Sequence, residues 1–161
     1  MPSVPGPDQM LTLADRPGAS EAVRSGEWAA LDVRYDEQAR RDDRLLRIWL
    51  RTAGPMPDDA LLHAAVLAYA SDLTLLASAA VPHDLGVSDP NVVAASLDHA
   101  MWFHRPARVD DWLLHDQESP VATGGRGLGR GRIFDRAGRL VASTVQEGLL
   151  RLRRPATPTS G

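Results

Sequence analysis

One acidic residue, Asp72, lies within a long apolar segment between residues 60 and 76. A carboxylate in apolar surroundings is costly unless it is paired, hydrogen-bonded or solvated by a cavity. Two interpretations account for such a residue. It is either a hydrogen-bonded structural group near the end of a helix, or a group that faces a cavity and can act on a bound water molecule. Residue type and position alone leave both interpretations open.

The glycine-rich run 124–131 superficially resembles a nucleotide-binding loop. A dinucleotide fingerprint follows a strand and opens a helix, whereas residues 132–134 here continue as a strand. We therefore interpret the glycines as positions where a strand bends or where another part of the backbone approaches closely. The arginines of this region either contact a phosphate group or form a solvated charged face; they are Arg126, Arg130 and Arg132.

Other catalytic chemistries find little support in the residue types. On one extended strand His99 and His104 point to opposite faces, and Asp98 lies roughly 20 Å from His104, so no metal site is expected. A Gly-x-Ser-x-Gly nucleophile elbow is absent from the sequence. The chain has no cysteine, and all 18 of its basic residues are arginine, which excludes thiolate and lysine chemistry.

The elements that must position these residues follow an α+β order. Residues 60 to about 76 predict a helix that is apolar on nearly every side, which is typical of a buried or a membrane-spanning helix. Asp72 at the centre of a span argues for the buried alternative. A tight turn at residues 136–138 joins the last two strands. The predicted strands are 29–35, 46–51, 94–105, 111–117, 127–135 and 140–152. An antiparallel sheet wrapped around one long central helix is the hotdog fold, which is the fold class we predict.

Length and composition set the frame for this fold. The chain has 161 residues, the size of one ordinary domain, and 43% hydrophobic residues. Its net charge of -3 argues against a nucleic-acid partner. We predict a flexible N-terminal arm or linker remnant over residues 1–26, a single domain over 27–154 and a disordered tail over 155–161. The N-terminus has no signal-peptide pattern, so a cytoplasmic location is expected.

Several segments together resemble the acyl-CoA thioesterase II family. The most specific of them is residues 96–105, Ser-Leu-Asp-His-Ala-Met-Trp-Phe-His-Arg. The resemblance covers roughly residues 28–154, and its other segments are 69–73, 112–114, 118–119, 126–127 and 141–148. The family folds as a double hotdog, and this sequence resembles the second of its two units.

The resemblance implies a site and a reaction. In the family a helix Asp, a strand Ser or Thr and a strand Gln hold the water that attacks the thioester carbonyl. The matching residues here are Asp72, Ser96 and Gln146. Arg126 and His99 are the implied substrate-binding residues. The expected activity is therefore hydrolysis of acyl-CoA to free acid and CoA, in fatty acid or lipid metabolism, with no metal or other cofactor.

The absence of a first unit raises an alternative function and an expectation about assembly. The alternative is a non-catalytic acyl-CoA-binding or assembly subunit, half of a double hotdog. A lone unit exposes the sheet edge and helix face that a partner would cover. We therefore expect a homodimer or a higher homo-oligomer, with acyl-CoA as the small-molecule partner and no membrane span.

Overall fold

Strands and helices account for most of the residues that the computed structural model describes, which are 1–15, 26–42 and 44–153. Short 3-10 turns at Pro7–Gln9, Gly26–Ala30 and Val81–His83 link some of these elements. The elements are β1 (Leu11–Thr12), β2 (Leu31–Tyr35), α1 (Glu37–Asp42), β3 (Leu46–Thr52), α2 (Ala60–Leu75), α3 (Ala77–Ala80), β4 (Val92–Ser96), β5 (Ala100–Phe103), β6 (Leu113–Thr123), β7 (Arg126–Asp135) and β8 (Leu140–Leu152).

The strands form one antiparallel sheet in the order β1-β2-β3-β6-β7-β8-β4, with β5 also paired to β8. Alternate side chains of each strand face the central helix and pack into the main core. That core includes Ile48, Leu50, Leu113, Ile133 and, from α2, Leu67. A curled antiparallel sheet around one helix confirms the predicted hotdog fold.

The central helix begins where the sequence predicts and runs further. The side chain of Asp59 caps α2 by accepting hydrogen bonds from the N–H groups of Leu61 and Leu62 at 2.9 and 3.2 Å. Helical structure then continues through α3 to His83. The segment Ala60–His83 is long and apolar enough to cross a membrane, and 56% of its most apolar window is buried inside the protein. That burial is typical of the core helix of a soluble domain.

The predicted strand 94–105 is wrong as a single element, because the chain leaves the ladder between β4 and β5. Ser96 pairs with Gly148, and Ala100 pairs with Val145. Three residues, 97–99, therefore stand opposite two residues of β8. An extra residue of this kind is a bulge, which bends the strand and redirects its side chains.

Gly127 and Gly129 of the glycine run allow β7 to pack closely against the helices. A Cβ at Gly127 would lie 2.5 Å from the Cβ of Ala79, and one at Gly129 would lie 2.9 Å from the carbonyl oxygen of Leu75. Side chains at these positions would push the helices off the sheet. The interpretation as sites of close backbone approach is therefore confirmed. Gly124 and Gly125, both with positive φ, form the β6–β7 turn.

Residues 1–15, which belong to the predicted N-terminal arm, pack against the sheet. β1 pairs with β2, and Trp49 Nε1 donates a hydrogen bond to the carbonyl oxygen of Pro5 at 2.9 Å. Met10 joins a second apolar cluster with Trp49, Leu114 and Phe134. Residues 16–25 and the predicted tail lie outside the described residues.

Candidate active site

Asp72, Ser96 and Gln146 come together on one side of the central helix. Asp72 lies three residues before the end of α2, Ser96 is the last residue of β4, and Gln146 lies on β8. The amide Nε2 of Gln146 donates a hydrogen bond to Oγ of Ser96 at 2.8 Å and another to Oδ1 of Asp72. Three residues from distant parts of the chain thus form one hydrogen-bonded group.

Strand pairing explains the meeting of Ser96 and Gln146. Because Ser96 pairs with Gly148, the side chain two residues earlier on β8, that of Gln146, lies on the same face of the sheet. The bulge then turns the chain away directly after Ser96. Bulges of this kind are over-represented beside active sites, where they redirect side chains.

The side chain of Asp98 compensates for the break in the ladder. Its Oδ1 accepts a hydrogen bond from the backbone N–H of Glu147 at 2.8 Å. The carbonyl oxygen of Glu147 accepts a hydrogen bond from the N–H of Leu97 at 3.0 Å. Unbroken strand alternation would place Asp98 on the same face as Ser96, but the bulge ends the alternation after Ser96.

The three residues differ in burial, and this defines an open and a closed side of the site. Gln146 is fully buried, Asp72 is partly buried and Ser96 is exposed. The two N–H bonds of the Gln146 amide donate to Asp72 and to Ser96. The Oε1 atom of the same amide is an acceptor without a partner among the described residues. A small molecule can reach the site from the side of Ser96. It would find a carboxylate and a hydroxyl there.

The two predicted substrate-binding residues lie in different places. Nε2 of His99 is 3.1 Å from Oγ of Ser71, the neighbour of Asp72 on α2, so His99 borders the site. Arg126 belongs to the strand positions that face away from the helix, and it forms an ion pair with Glu147 at 3.3 Å. The structure therefore brings His99 to the group and leaves Arg126 on the opposite face of the sheet.

The two histidines of the segment 96–105 lie on opposite faces of the sheet. His99 faces the helix, whereas Nε2 of His104 lies 2.9 Å from Oγ of Ser143, a residue of the outer face. Across residues 1–15, 26–42 and 44–153, no three His, Asp or Glu side chains lie close enough to hold a metal ion.

A buried histidine that the sequence reading missed lies beside the site. His115 on β6 is inaccessible to solvent, and its Nδ1 and Nε2 lie 3.3 and 3.1 Å from the hydroxyls of Thr74 and Thr144. Burial, with a smaller contribution from the nearby His99, lowers the pKa of His115 to about 3. His115 is thus a neutral group. The sequence signal for His115 was a polar residue in the predicted strand 111–117, at a position whose side chain faces the helix.

The hydrogen-bond partners favour one tautomer of this ring. The carbonyl oxygens of Ala70 and Ser71 can only accept, and when the single hydroxyl proton of Thr74 is donated to them, Thr74 accepts from Nδ1–H of His115. Nε2 then accepts from the hydroxyl of Thr144. Thr144 and Gln146 lie on the same face of β8, which joins this network to the catalytic candidates.

The fold and the site together define a class: a hotdog domain with a carboxylate, a hydroxyl and an amide gathered beside its central helix. A family model described as acyl-CoA thioesterase matches residues 22–149. The acyl-coenzyme A thioesterase 8 of Mus musculus is 37% identical over an alignment of 173 positions, gaps included. The alignment covers 95% of this chain and 53% of that protein. The chain belongs to the acyl-CoA thioesterase family.

Solved structures agree with this assignment. An acyl-CoA thioesterase II from Mycobacterium marinum is 41% identical and superimposes with a TM-score of 0.76, covering 97% of this chain and 56% of that one. A hotdog protein of unknown function from Alicyclobacillus acidocaldarius shares the fold at 19% identity and a TM-score of 0.65, covering 96% of this chain and 55% of that one. The chain therefore spans about half the length of these relatives.

Proposed function

We propose that the protein hydrolyses acyl-CoA thioesters to a free carboxylic acid and CoA. The observation that carries this proposal is the hydrogen-bonded group of Asp72, Ser96 and Gln146 in a chain of the acyl-CoA thioesterase family. A carboxylate beside a hydroxyl at the rim of a core can hold and activate a water molecule.

In the proposed reaction, a water molecule sits between the carboxylate of Asp72 and the hydroxyl of Ser96. The water oxygen attacks the thioester carbonyl carbon while one of its protons passes to Asp72. The carbon–sulfur bond then breaks, and the thiolate of CoA leaves and takes up a proton. A thiol with a pKa around 8.5 is a good leaving group, so the reaction needs no strong general acid.

Gln146 serves this reaction by fixing the other two groups. Its Nε2 bonds both Asp72 and Ser96, and its own position is set by full burial on β8. Because Ser96 Oγ accepts from Gln146, its own proton is available to orient the water.

The large exposed apolar side chains beside the free sheet edge favour one alternative, an acyl-CoA-binding or assembly subunit that does not turn over its ligand. Matched measurements on the purified chain separate the two functions: thiol release from acyl-CoAs of increasing chain length, and binding of a non-hydrolysable acyl-CoA thioether. Turnover supports the hydrolase. Tight binding of the thioether without thiol release supports the subunit.

We further propose that a second copy of the chain covers one exposed face. The side of α2 and the free edge formed by β4 and β5 carry large apolar side chains that are 46 to 55% exposed. These residues are Tyr69, Leu97, Trp102 and Phe103. Apolar surface of this extent beside an open sheet edge is typical of an interface.

Light scattering after size exclusion tests this association. The expected mass is twice the chain mass of 17.4 kDa. The substitution Phe103→Asp is expected to give the single-chain mass. Val121→Asp is a matched control, because Val121 is 48% exposed at the far tip of the β6–β7 hairpin. A single-chain mass for the unmodified protein at micromolar concentration would contradict the proposal.

A further inference from the structure

A cavity of about 490 Å³ opens at the beginning of the central helix, away from the candidate active site. It lies between the first turn of α2, the segment that leads into β6 and the β7–β8 hairpin. Its apolar wall includes Pro106, Ala107, Leu113 and Ala137. A volume of this size is typical of small-molecule sites.

The cavity is separate from the group around Asp72. His63, which lines the cavity, precedes Asp72 by nine residues on α2. At the rise and turn of an α-helix, that spacing places the two side chains about 14 Å apart along the axis and on opposite sides. A ligand in the cavity therefore leaves the active site accessible.

His63 carries a buried donor without an acceptor. The side chain is 3% exposed, and its Nδ1 accepts a hydrogen bond from the N–H of Val109 at 3.2 Å. The ring proton must then be on Nε2, which has no partner among the described residues. An unpaired buried N–H is unfavourable by more than a normal hydrogen bond contributes, so an acceptor on a bound molecule would stabilise this group.

Among the arginines that line the cavity, only one is uncommitted within the part of the chain that the structure describes. Arg108 forms ion pairs with Asp58 and Asp110 at 2.8 and 2.9 Å. Arg139 pairs with Asp135 at 2.7 Å. The remaining arginine, Arg136 in the β7–β8 turn, is exposed and has no ion pair within the described residues.

That free cation is Arg136, and a free anion faces the same cavity. Asp111 is exposed, and its Oδ1 accepts a hydrogen bond only from the N–H of Trp112, at 2.8 Å. The cavity thus combines a cation, a neutral N–H donor, a carboxylate acceptor and an apolar wall. A simple anion would use the first two features and leave the others unmatched.

We propose that this cavity binds a phosphate-bearing nucleotide. Arg136 binds the phosphate, Nε2–H of His63 donates to an acceptor atom of the base or ribose, and Asp111 accepts from a ribose hydroxyl or an exocyclic amino group. The base packs on the apolar wall. None of these contacts involves the acyl group or the residues around Asp72.

Calorimetric titration of the full chain tests the proposal with three probes: ADP, adenosine 3′,5′-bisphosphate and adenosine. Saturable binding of the two phosphate-bearing probes is expected. Arg136→Ala is expected to weaken it by about tenfold or more, the loss that follows removal of a charge-assisted hydrogen bond. Adenosine is expected to bind correspondingly weakly. Arg153→Ala removes an equal charge from the end of β8 and is expected to leave affinity unchanged.

Nitrogen NMR of the histidine side chains supplies a readout that needs no substitution in the core. The Nε2 signal of His63 is expected to shift on addition of ADP. Equal affinity for the two phosphate-bearing probes would assign the cavity to free nucleotides, and preference for the bisphosphate would assign it to the nucleotide end of a CoA molecule. Absence of saturable heat, an unshifted His63 signal, or equal loss in the Arg136 and Arg153 variants would overturn the proposal.

Discussion

The neutral state of His115 predicts a specific loss of stability in acid. In the unfolded chain this histidine takes up a proton below its ordinary pKa of 6.5, whereas burial lowers its pKa in the folded protein to about 3. Between these values the unfolded state holds more protons than the folded state. Folding stability must therefore rise with pH across this range, and it is lost as pH falls from 6.5 towards 3.

The size of the effect follows from the two pKa values. Each pH unit between them corresponds to about 1.4 kcal/mol, so the full contribution is about 5 kcal/mol and the part lost between pH 6.5 and 5 is about 2 kcal/mol. Small domains are stable by about 5–15 kcal/mol in total. The protonation of this one ring is therefore expected to contribute strongly to acid unfolding.

Urea unfolding of the wild type and of His115→Leu at pH values from 7 to 5 measures this term. The variant is expected to be less stable at pH 7, because the hydroxyl of Thr144 loses its acceptor, at a cost of about 1–3 kcal/mol. As the pH falls from 6.5 to 5, the stability of the variant relative to the wild type must then rise by about 2 kcal/mol, because only the wild type loses the contribution of His115. Parallel pH profiles, or a His115 NMR signal that titrates near pH 6.5 in the folded protein, would refute the reasoning.

Two further predictions concern packing and the active site. Gly129→Ala is expected to destabilise the fold by about 1–3 kcal/mol in thermal or urea unfolding, because the new Cβ would lie 2.8 Å from the hydroxyl of Ser78 and 2.9 Å from the carbonyl oxygen of Leu75. The control is Gly86→Ala, whose Cβ meets nothing closer than 4.0 Å. Gln146→Glu is expected to lower kcat/KM by about 100-fold or more, because it replaces the amide donor that bonds Asp72 and Ser96 with a second carboxylate. An unchanged melting temperature for Gly129→Ala, or an unchanged kcat/KM for Gln146→Glu, would count against these arguments.

Much of the fold could be predicted from local sequence patterns. The unbroken apolar run from residue 60 indicated a buried helix, and alternation indicated the helix-facing sides of β3 and β8. The turn at residues 136–138 followed from Gly138, which has a φ of 80°. Each of these features depends on neighbours along the chain, so its signal is present in a short window.

Features that depend on a distant partner could not be predicted in this way. The bulge at residues 97–99 exists only relative to β8, and nothing in the local sequence shows that three residues oppose two. The packing of residues 1–15 is similar: their Pro and Gly content suggested a free arm, while the apolar residues that they cover, Trp49 and Phe134, lie on other strands. Strand alternation placed Trp49 on the outer face but did not show what covers it.

The candidate site shows the same division. Asp72 stood out from the sequence because it is an acid in an apolar helix, but Ser96 and Gln146 were found through the family resemblance and not through spacing. Their contact requires the pairing of β4 with β8 and the placement of α2 across both. His115 was missed because one polar residue at a helix-facing strand position is a weak signal without its two threonine partners.

The most direct test of the proposed function is thiol release from an acyl-CoA by the purified chain and by its Asp72→Asn variant. Asn preserves the volume of the side chain and can still contact Gln146, but it cannot take a proton from water. Loss of a general base lowers rates by about 100-fold or more. We therefore predict that the variant folds, binds acyl-CoA and loses at least about 100-fold in kcat. Thiol release by Asp72→Asn at the wild-type rate would contradict the assignment of Asp72 as the group that activates water.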